Sequence, residues 1–249
     1  MIYFASDFHL VPGRAGRSQE ARIVEWLERI QSDAQALYLL GDVFDFWFEY
    51  RHVVPKGQVR LLGKLAELSD RGIAVHFFPG NHDQWTYGYL EEEVGLQVHK
   101  EPYLGPILGE LFYLHHGDGI GPGDVAHKWT QRVFRNPLAR WAFRWLHPDL
   151  GVALARKWSE KSRMAHPYQP FGTLNPESQW EFARRHAQLH PVRYYVFGHR
   201  HWPLIKRIPD TKAYYINLGD WMRFNTYGKY DGEHFALLDI EGKTYGITQ

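Results

Sequence analysis

FFPGNHDQW, residues 77–85, decides how the chain is to be read. The run IAVHFF (73–78) has the length and apolar character of a buried strand, and it stops at a Pro-Gly turn that sets Asn81, His82 and Asp83 side by side. Gly-Asn-His-Asp alone is compatible with an ordinary tight turn. What lifts it above that is repetition. IYFAS (2–6) runs into SDFH, ALYLL (36–40) into GDVFD, ELFYL (110–114) into HHGD, and RYYVF (193–197) into GHRH. Asp7 and His9 lie two residues apart, as do His199 and His201, so on extended backbone each pair points to one side. In HHGD neighbouring side chains face opposite ways, so only one of His115 and His116 can point inward. Singly, a Gly-Asp pair is a common turn. Five clusters of carboxylate, imidazole and amide, each directly after an apolar strand, point instead to ligands converging on a metal.

The segments between these strands give the architecture. SQEARIVEWLERIQSD (18–33) carries Ile23, Trp26, Leu27 and Ile30 on one helical face. PKGQVRLLGKLAELSDRG (55–72) is read as a helix with Val59, Leu62, Leu65 and Leu68 inward and Gly72 as its stop. Strand, helix and strand in succession imply parallel pairing, with all carboxyl ends opening on the edge where open α/β sheets bind ligands. Residues 110–119, 193–201, 203–208, 213–221 and 234–242 read as further strands, and 123–165 as a helical insertion. A helix over 175–190 follows, with Asn175 as N-cap and Pro176 at its first position. The expectation is one domain over 1–249, an α/β sandwich interrupted by that insertion.

Composition narrows the chemistry. The 249 residues contain no cysteine, which excludes disulfides, zinc-thiolate sites and cysteine nucleophiles and leaves His, Asp, Glu and Asn as ligands. A net charge of +1 gives no broad positive field for nucleic acid. No apolar run reaches the length of about 18 residues that spans a bilayer. MIYFASDFHL lacks the pattern of a signal peptide, so a cytoplasmic protein is expected.

The ordered set D-x-H, G-D, G-N-H-D, H-G-D and G-H-x-H resembles the calcineurin-like metallophosphoesterase superfamily over most of the chain. That resemblance implies a four-layer α/β/β/α sandwich with the insertion as a cap. It also implies two divalent ions, manganese above all. Asp7, His9, Asp42 and His201 would hold one, and Asp42, Asn81, His116 and His199 the other, with Asp42 bridging. Such ions, about 3.5–4 Å apart, clamp a phosphoryl group and activate a bridging hydroxide. Asn81 and His82 would then be catalytic, His82 touching the phosphate, while Asp83 orients a neighbouring imidazole and Asp118 supports the site from behind.

LYLLGDVFDFWFEY (37–50), with Phe44, Asp45 and Trp47 after the second motif, looks more narrowly like the UDP-2,3-diacylglucosamine pyrophosphatases, although His82 stands where many of them carry Arg. This narrower resemblance implies hydrolysis of a nucleotide-linked, diacylated sugar to UMP and the acylated sugar 1-phosphate, with Arg156, Ser159, Lys161 and Arg163 as substrate contacts. The insertion has its own physical signature. Residues 127–163 hold Lys128, Arg132, Arg135, Arg140, Arg144, Arg156, Lys157, Lys161 and Arg163 against Asp149 and Glu160, interleaved with Trp129, Phe134, Trp141, Phe143, Trp145 and Trp158. A basic, Trp-rich amphipathic block suits an anionic membrane surface, and peripheral attachment to the inner membrane is expected. The plainer alternative is that Leu138, Trp141 and Trp145 pack the insertion on the core. Competing functions are a general phosphoesterase or nucleotidase with a soluble substrate, a nuclease, for which the basic residues are too confined to one aromatic block, and a non-catalytic scaffold, against which the complete ligand set argues.

Overall fold

The computed structural model describes residues 1–121, 136–165, 170–174 and 177–248, with side chains of 160–165 and 247–248 left aside. The first sheet is built from β1 (Ile2–Ala5), β2 (Ala36–Leu40), β3 (Ala74–Phe78) and β4 (Gln97–Val98), all parallel. It is extended beyond β1 by the antiparallel β10 (Thr226–Tyr230), β11 (Phe235–Asp239) and β12 (Thr244–Tyr245). A second sheet has the order β13-β8-β9-β7-β6-β5. Its members are β5 (Tyr103–Ile107), β6 (Glu110–Leu114), β7 (Tyr194–Phe197), β8 (Leu204–Arg207), β9 (Tyr214–Asn217) and β13 (Ile247–Thr248). Within it β6, β7 and β9 run parallel, so the first sheet has four adjacent parallel strands and the second three.

The two sheets stack on a shared apolar layer: Phe4, Leu40 and Phe78 from the first meet Phe112, Leu114, Val196 and Ile216 from the second. Phe4 stacks on Phe112 with ring centroids 5.7 Å apart, and such aromatic faces supply large buried area to a seam about 10 Å thick. Outside the first sheet lie α1 (Arg17–Ile30) and α2 (Val59–Asp70), which bury Ile23, Trp26, Leu27, Leu61, Leu65 and Leu68. Outside the second lies α6 (Ser178–Ala187), with Ala183 against Tyr113, Tyr195 and Phe197. The expected four layers are therefore present.

Two sequence expectations shift. In α2 the inward stripe is Leu61, Lys64, Leu65 and Leu68; Val59 faces solvent and Leu62 is only half-buried, because the helix starts one residue after Gln58 and its core face is set by the 61-65-68 spacing. Its stop is as expected: Gly72, at φ 84°, donates to the Ser69 carbonyl and Ile73 to that of Leu68, the paired bonds of a Schellman end. Asn175 and Pro176 lie outside the described residues, and α6 begins at Ser178 behind Glu177. An Asn-Pro cap is found instead at α4 (Pro137–Arg144), where the Asn136 side chain accepts from the backbone of Leu138. With α5 (Pro148–Ala165) and the short α3 (Tyr89–Glu92), this completes the described helices.

Candidate active site

Every expected ligand sits on a loop leaving the carboxyl end of a parallel strand: Asp7 and His9 after β1, Asp42 after β2, Asn81 and His82 after β3, His116 after β6, His199 and His201 after β7. These loops are knitted by backbone bonds. Asp7 and His9 donate to the carbonyls of Gly41 and Asp42, Gly198 donates to that of His116, and His199 donates to the Asp7 carboxylate at 2.9 Å. Tight turning is required for this. Asp7, His9, Asp42, His199 and His201 all adopt the left-handed region, at φ 54°, 43°, 52°, 66° and 53°. Each such residue costs about 1–3 kcal/mol and persists only where its surroundings enforce it, and backbone strain of this kind gathers at functional sites. Close approach adds a second constraint: a Cβ at Gly80 would run into Asp42, and one at Gly198 into Asp7.

The side chains form two groups that share Asp42. In one, His201 Nε2 lies 3.0 Å from Asp7 Oδ1 and 3.2 Å from His9 Nε2, which is 3.5 Å from Asp42 Oδ2. In the other, His116 Nε2 lies 3.3 Å from both Asp42 Oδ2 and Asn81 Oδ1, with the His199 ring beside it. Asp42 Oδ2 thus lies between the two groups, and the seven side chains expected from the sequence come together. Ligand atoms of Asp7, His9 and His201, and of Asp42, His116 and His199, are close enough to hold an ion, as are those of His9, Asp42 and His82.

The electrostatics favour cations. Burial works against charge on Asp7 and Asp42, yet the surrounding imidazoles outweigh it and hold both carboxyls well below their ordinary range. Burial drives His9 down to about 4, leaving it neutral as a ligand must be. His116 and His201 are raised despite burial, through the charges of Asp42 and Asp7 respectively. Two observations fit a resident divalent ion. Asp7 Oδ1 is fully buried and, although 3.0 Å from His201 Nε2, has no well-formed hydrogen bond, and the His9 and His201 Nε2 atoms lie 3.2 Å apart, a pair that one shared hydrogen or a cation would hold together. Mixed oxygen and nitrogen donors suit borderline divalent metals.

Around this centre some roles differ from expectation. Among the described residues Asp83 orients no imidazole by a hydrogen bond: its carboxylate accepts from the backbone N–H groups of Gly80, Asp42, Val43 and Phe44, fastening the second and third loops together. Asp118 is buried, and its charge favours the protonated form of His116. His115 faces away and accepts from Gly117, while His116 Nδ1 donates to the Leu40 carbonyl. Arg200, between the two ligand histidines, turns to the other side and pairs with Glu177 through two nitrogens. Of the expected substrate contacts, Arg156 is exposed, Ser159 is buried beside His82, and the side chains of Lys161 and Arg163 lie outside the described residues. Asp220 is an addition. It sits 3.7 Å behind His201 Nδ1 and caps the turn at Met222–Phe224. Its signal was present in YYINLGD (214–220), one more apolar strand ending in Gly-Asp. Gln179 had no comparable signal, because it sits within an amphipathic helix; its amide donates to the carbonyls of Gly117 and Gly198, bracing two ligand loops from α6.

A sandwich of two sheets with such a ligand cluster at their common rim defines a metal-dependent phosphoesterase. The chain belongs to the calcineurin-like phosphoesterase family, which matches residues 1–203. It is 42% identical to the UDP-2,3-diacylglucosamine hydrolase of Porphyromonas gingivalis over 96% of this chain and 97% of that protein. Proteins of the same name from Pseudomonas fluorescens and Pseudomonas putida are 31% and 30% identical, each over 97% of this chain and over 95% and 99% of their own lengths. Among solved structures, a Streptococcus pneumoniae protein described as a predicted phosphoesterase aligns with a TM-score of 0.41 at 14% identity, over 98% of this chain and 91% of the other. Vps29 from Entamoeba histolytica aligns with a TM-score of 0.40 at 14% identity, over 98% and 95%.

Proposed function

We propose that this protein hydrolyses the pyrophosphate bond of UDP-2,3-diacylglucosamine to UMP and 2,3-diacylglucosamine 1-phosphate. The observation that carries the reading is the pair of ligand groups joined through Asp42, in a chain whose full-length relatives bear that substrate in their names. Asp7, His9, Asp42 and His201 would hold one divalent ion and Asp42, Asn81, His116 and His199 a second, with manganese the proposed metal. Bound there, such ions supply Lewis acidity toward a phosphoryl oxygen and a nucleophile at neutral pH. The protein's own part is to orient. Asp83 and the left-handed loops hold the donors in place, so little reorganisation is needed as charge develops. Asn81 and His82 face the phosphate. Because the leaving group is itself a phosphate with a second pKa of about 6, His82 has little need to act as an acid and chiefly steadies charge on the attacked phosphorus centre.

The domain reading is that residues 123–165 form a cap over one 1–249 domain. Its described helices support an anionic membrane partner at the inner face of the inner membrane. Leu138, Trp141 and Trp145 are 75%, 62% and 75% exposed, which supports a surface role for them over packing on the core. Leu150 and Leu154 are also exposed, alongside the exposed Arg144 and Arg156. Lys128, Arg132, Arg135, Trp129 and Phe134 lie outside the described residues. No described helix is long and apolar enough to cross a membrane. Replacing Trp141 and Trp145 together with Ser is expected to weaken sedimentation with phosphatidylglycerol vesicles by about tenfold or more, on the scale of two lost interfacial aromatic anchors. Unchanged sedimentation would remove the membrane reading and leave the hydrolase.

The decisive assay offers the manganese-loaded protein three substrates: the diacylated UDP-sugar, its deacylated analogue, and bis-p-nitrophenyl phosphate. UMP release from the first well above turnover of the others is expected. Equal kcat/KM on all three would make the protein a general phosphoesterase.

A further inference from the structure

We propose that Ser159 and Asp45 are positioning residues for His82, so that the seating of the helical insertion sets the orientation of the imidazole facing the phosphate. The proposal rests on the role given to His82 above.

Ser159 lies on α5, where Arg156, Lys157 and Trp158 are exposed, yet Ser159 is only 2% exposed. Its hydroxyl donates to Asp45 Oδ1 at 2.9 Å, and its oxygen lies 3.1 Å from His82 Nδ1. His82 Nδ1 is also 2.9 Å from the Asp45 carbonyl. A hydroxyl has one hydrogen, and a carboxylate and a carbonyl can only accept. With that hydrogen given to Asp45, both neighbours of His82 Nδ1 are acceptors, so Nδ1 must carry a hydrogen and donate. Asp45 is buried as well, and its carboxylate holds the hydroxyl in the rotamer this requires. The tautomer is thereby fixed, and Nε2 is the nitrogen left for the reaction.

Two further contacts make the arrangement rigid. The His82 backbone N–H donates to Asp42 Oδ1 at 2.8 Å, and its ring packs edge-to-face on His9 with centroids 4.8 Å apart. The insertion is seated independently on the same loops: Phe143 of α4 packs against Phe48 at 4.8 Å and Trp85 at 5.5 Å. Phe48 follows Asp45 by three residues and Trp85 follows His82 by three, so the insertion also packs on the two loops that carry Asp45 and His82. Ser159 thus bridges Asp45 and His82, and its part is to position the imidazole.

The test uses the metal-loaded full chain and both the acylated UDP-sugar and bis-p-nitrophenyl phosphate. Ser159→Ala is expected to lower kcat about 10- to 100-fold on both substrates, the usual scale for lost support behind a working group, with KM nearly unchanged and metal content intact. Ser159→Thr keeps the hydroxyl and should recover most of the loss. In a His82→Ala background, Ser159→Ala should cost nothing further, because its whole effect runs through the ring. A higher KM for the acylated substrate alone, with the diester untouched, would overturn the proposal and make Ser159 a substrate contact. Should Ser159→Ala fail to fold, nitrogen NMR of the wild-type zinc form decides: His82 protonated at Nδ1 supports the proposal, and protonation at Nε2 alone overturns it. Because the diester reports independently, wild-type inactivity on the UDP-sugar would sink the substrate assignment without touching this inference.

Discussion

Asp42→Ala is expected to abolish turnover, by at least about 10³-fold, and to strip the centre of tightly held metal. The size follows from position. Asp42 Oδ2 is 3.5 Å from His9 and 3.3 Å from His116, so the carboxylate is common to both ligand groups, while Oδ1 accepts from the backbone of His82. Losing the shared ligand removes several kcal/mol of transition-state stabilisation, and each 1.36 kcal/mol is tenfold in rate. It also leaves buried imidazoles without the charge that balances them. Asp42→Asn, of the same shape, separates the chemistry from folding. Turnover within tenfold of wild type in either variant, with metal content measured by mass spectrometry, would refute the shared-ligand role.

Manganese added to chelator-stripped protein should raise the melting temperature by about 8–16 °C per occupied site. A ligand at a thousand times its dissociation constant stabilises the folded state by about 4 kcal/mol, and for a chain of this size each kcal/mol moves the midpoint by about 2–4 °C. The structure gives the reason for a large effect: Asp7 and Asp42 are buried carboxylates, held by neighbouring imidazoles and one backbone N–H each, to which a cation would bring the balancing charge. The gain should shrink sharply in the Asp42 variants. A stripped protein whose melting point ignores manganese would mean that these side chains hold no ion.

The first sheet was legible because IYFAS, ALYLL and IAVHFF are short, apolar, and separated by helical segments; the candidate ligands stood out because each follows such a strand directly. What escaped is informative. TYGKY (226–230) forms β10 beside β1, yet its Gly228 and alternating polar residues weaken the strand pattern; β1 and the packing of Gly228 against Phe235 make up for it. Two-residue strands such as β4 and β12 exist only through pairing with their neighbours. Asp83 was assigned to an imidazole because sequence shows that a carboxylate lies near histidines but not that four backbone N–H groups lie nearer. Ser159, Asp45 and His82 are far apart in the chain, and no spacing rule could have predicted that they meet.

The seam between the sheets also sets when the centre can come into being. Asp7, His9, Asp42 and Asn81 ride on one sheet and His116, His199 and His201 on the other, and only the layer around Phe4 and Phe112 brings them face to face. Neither sheet carries all seven of these side chains by itself. On a ribosome, residue 201 has to emerge and its strand has to dock before the last donor arrives, which makes metallation the closing act of biogenesis and leaves prematurely ended chains catalytically silent.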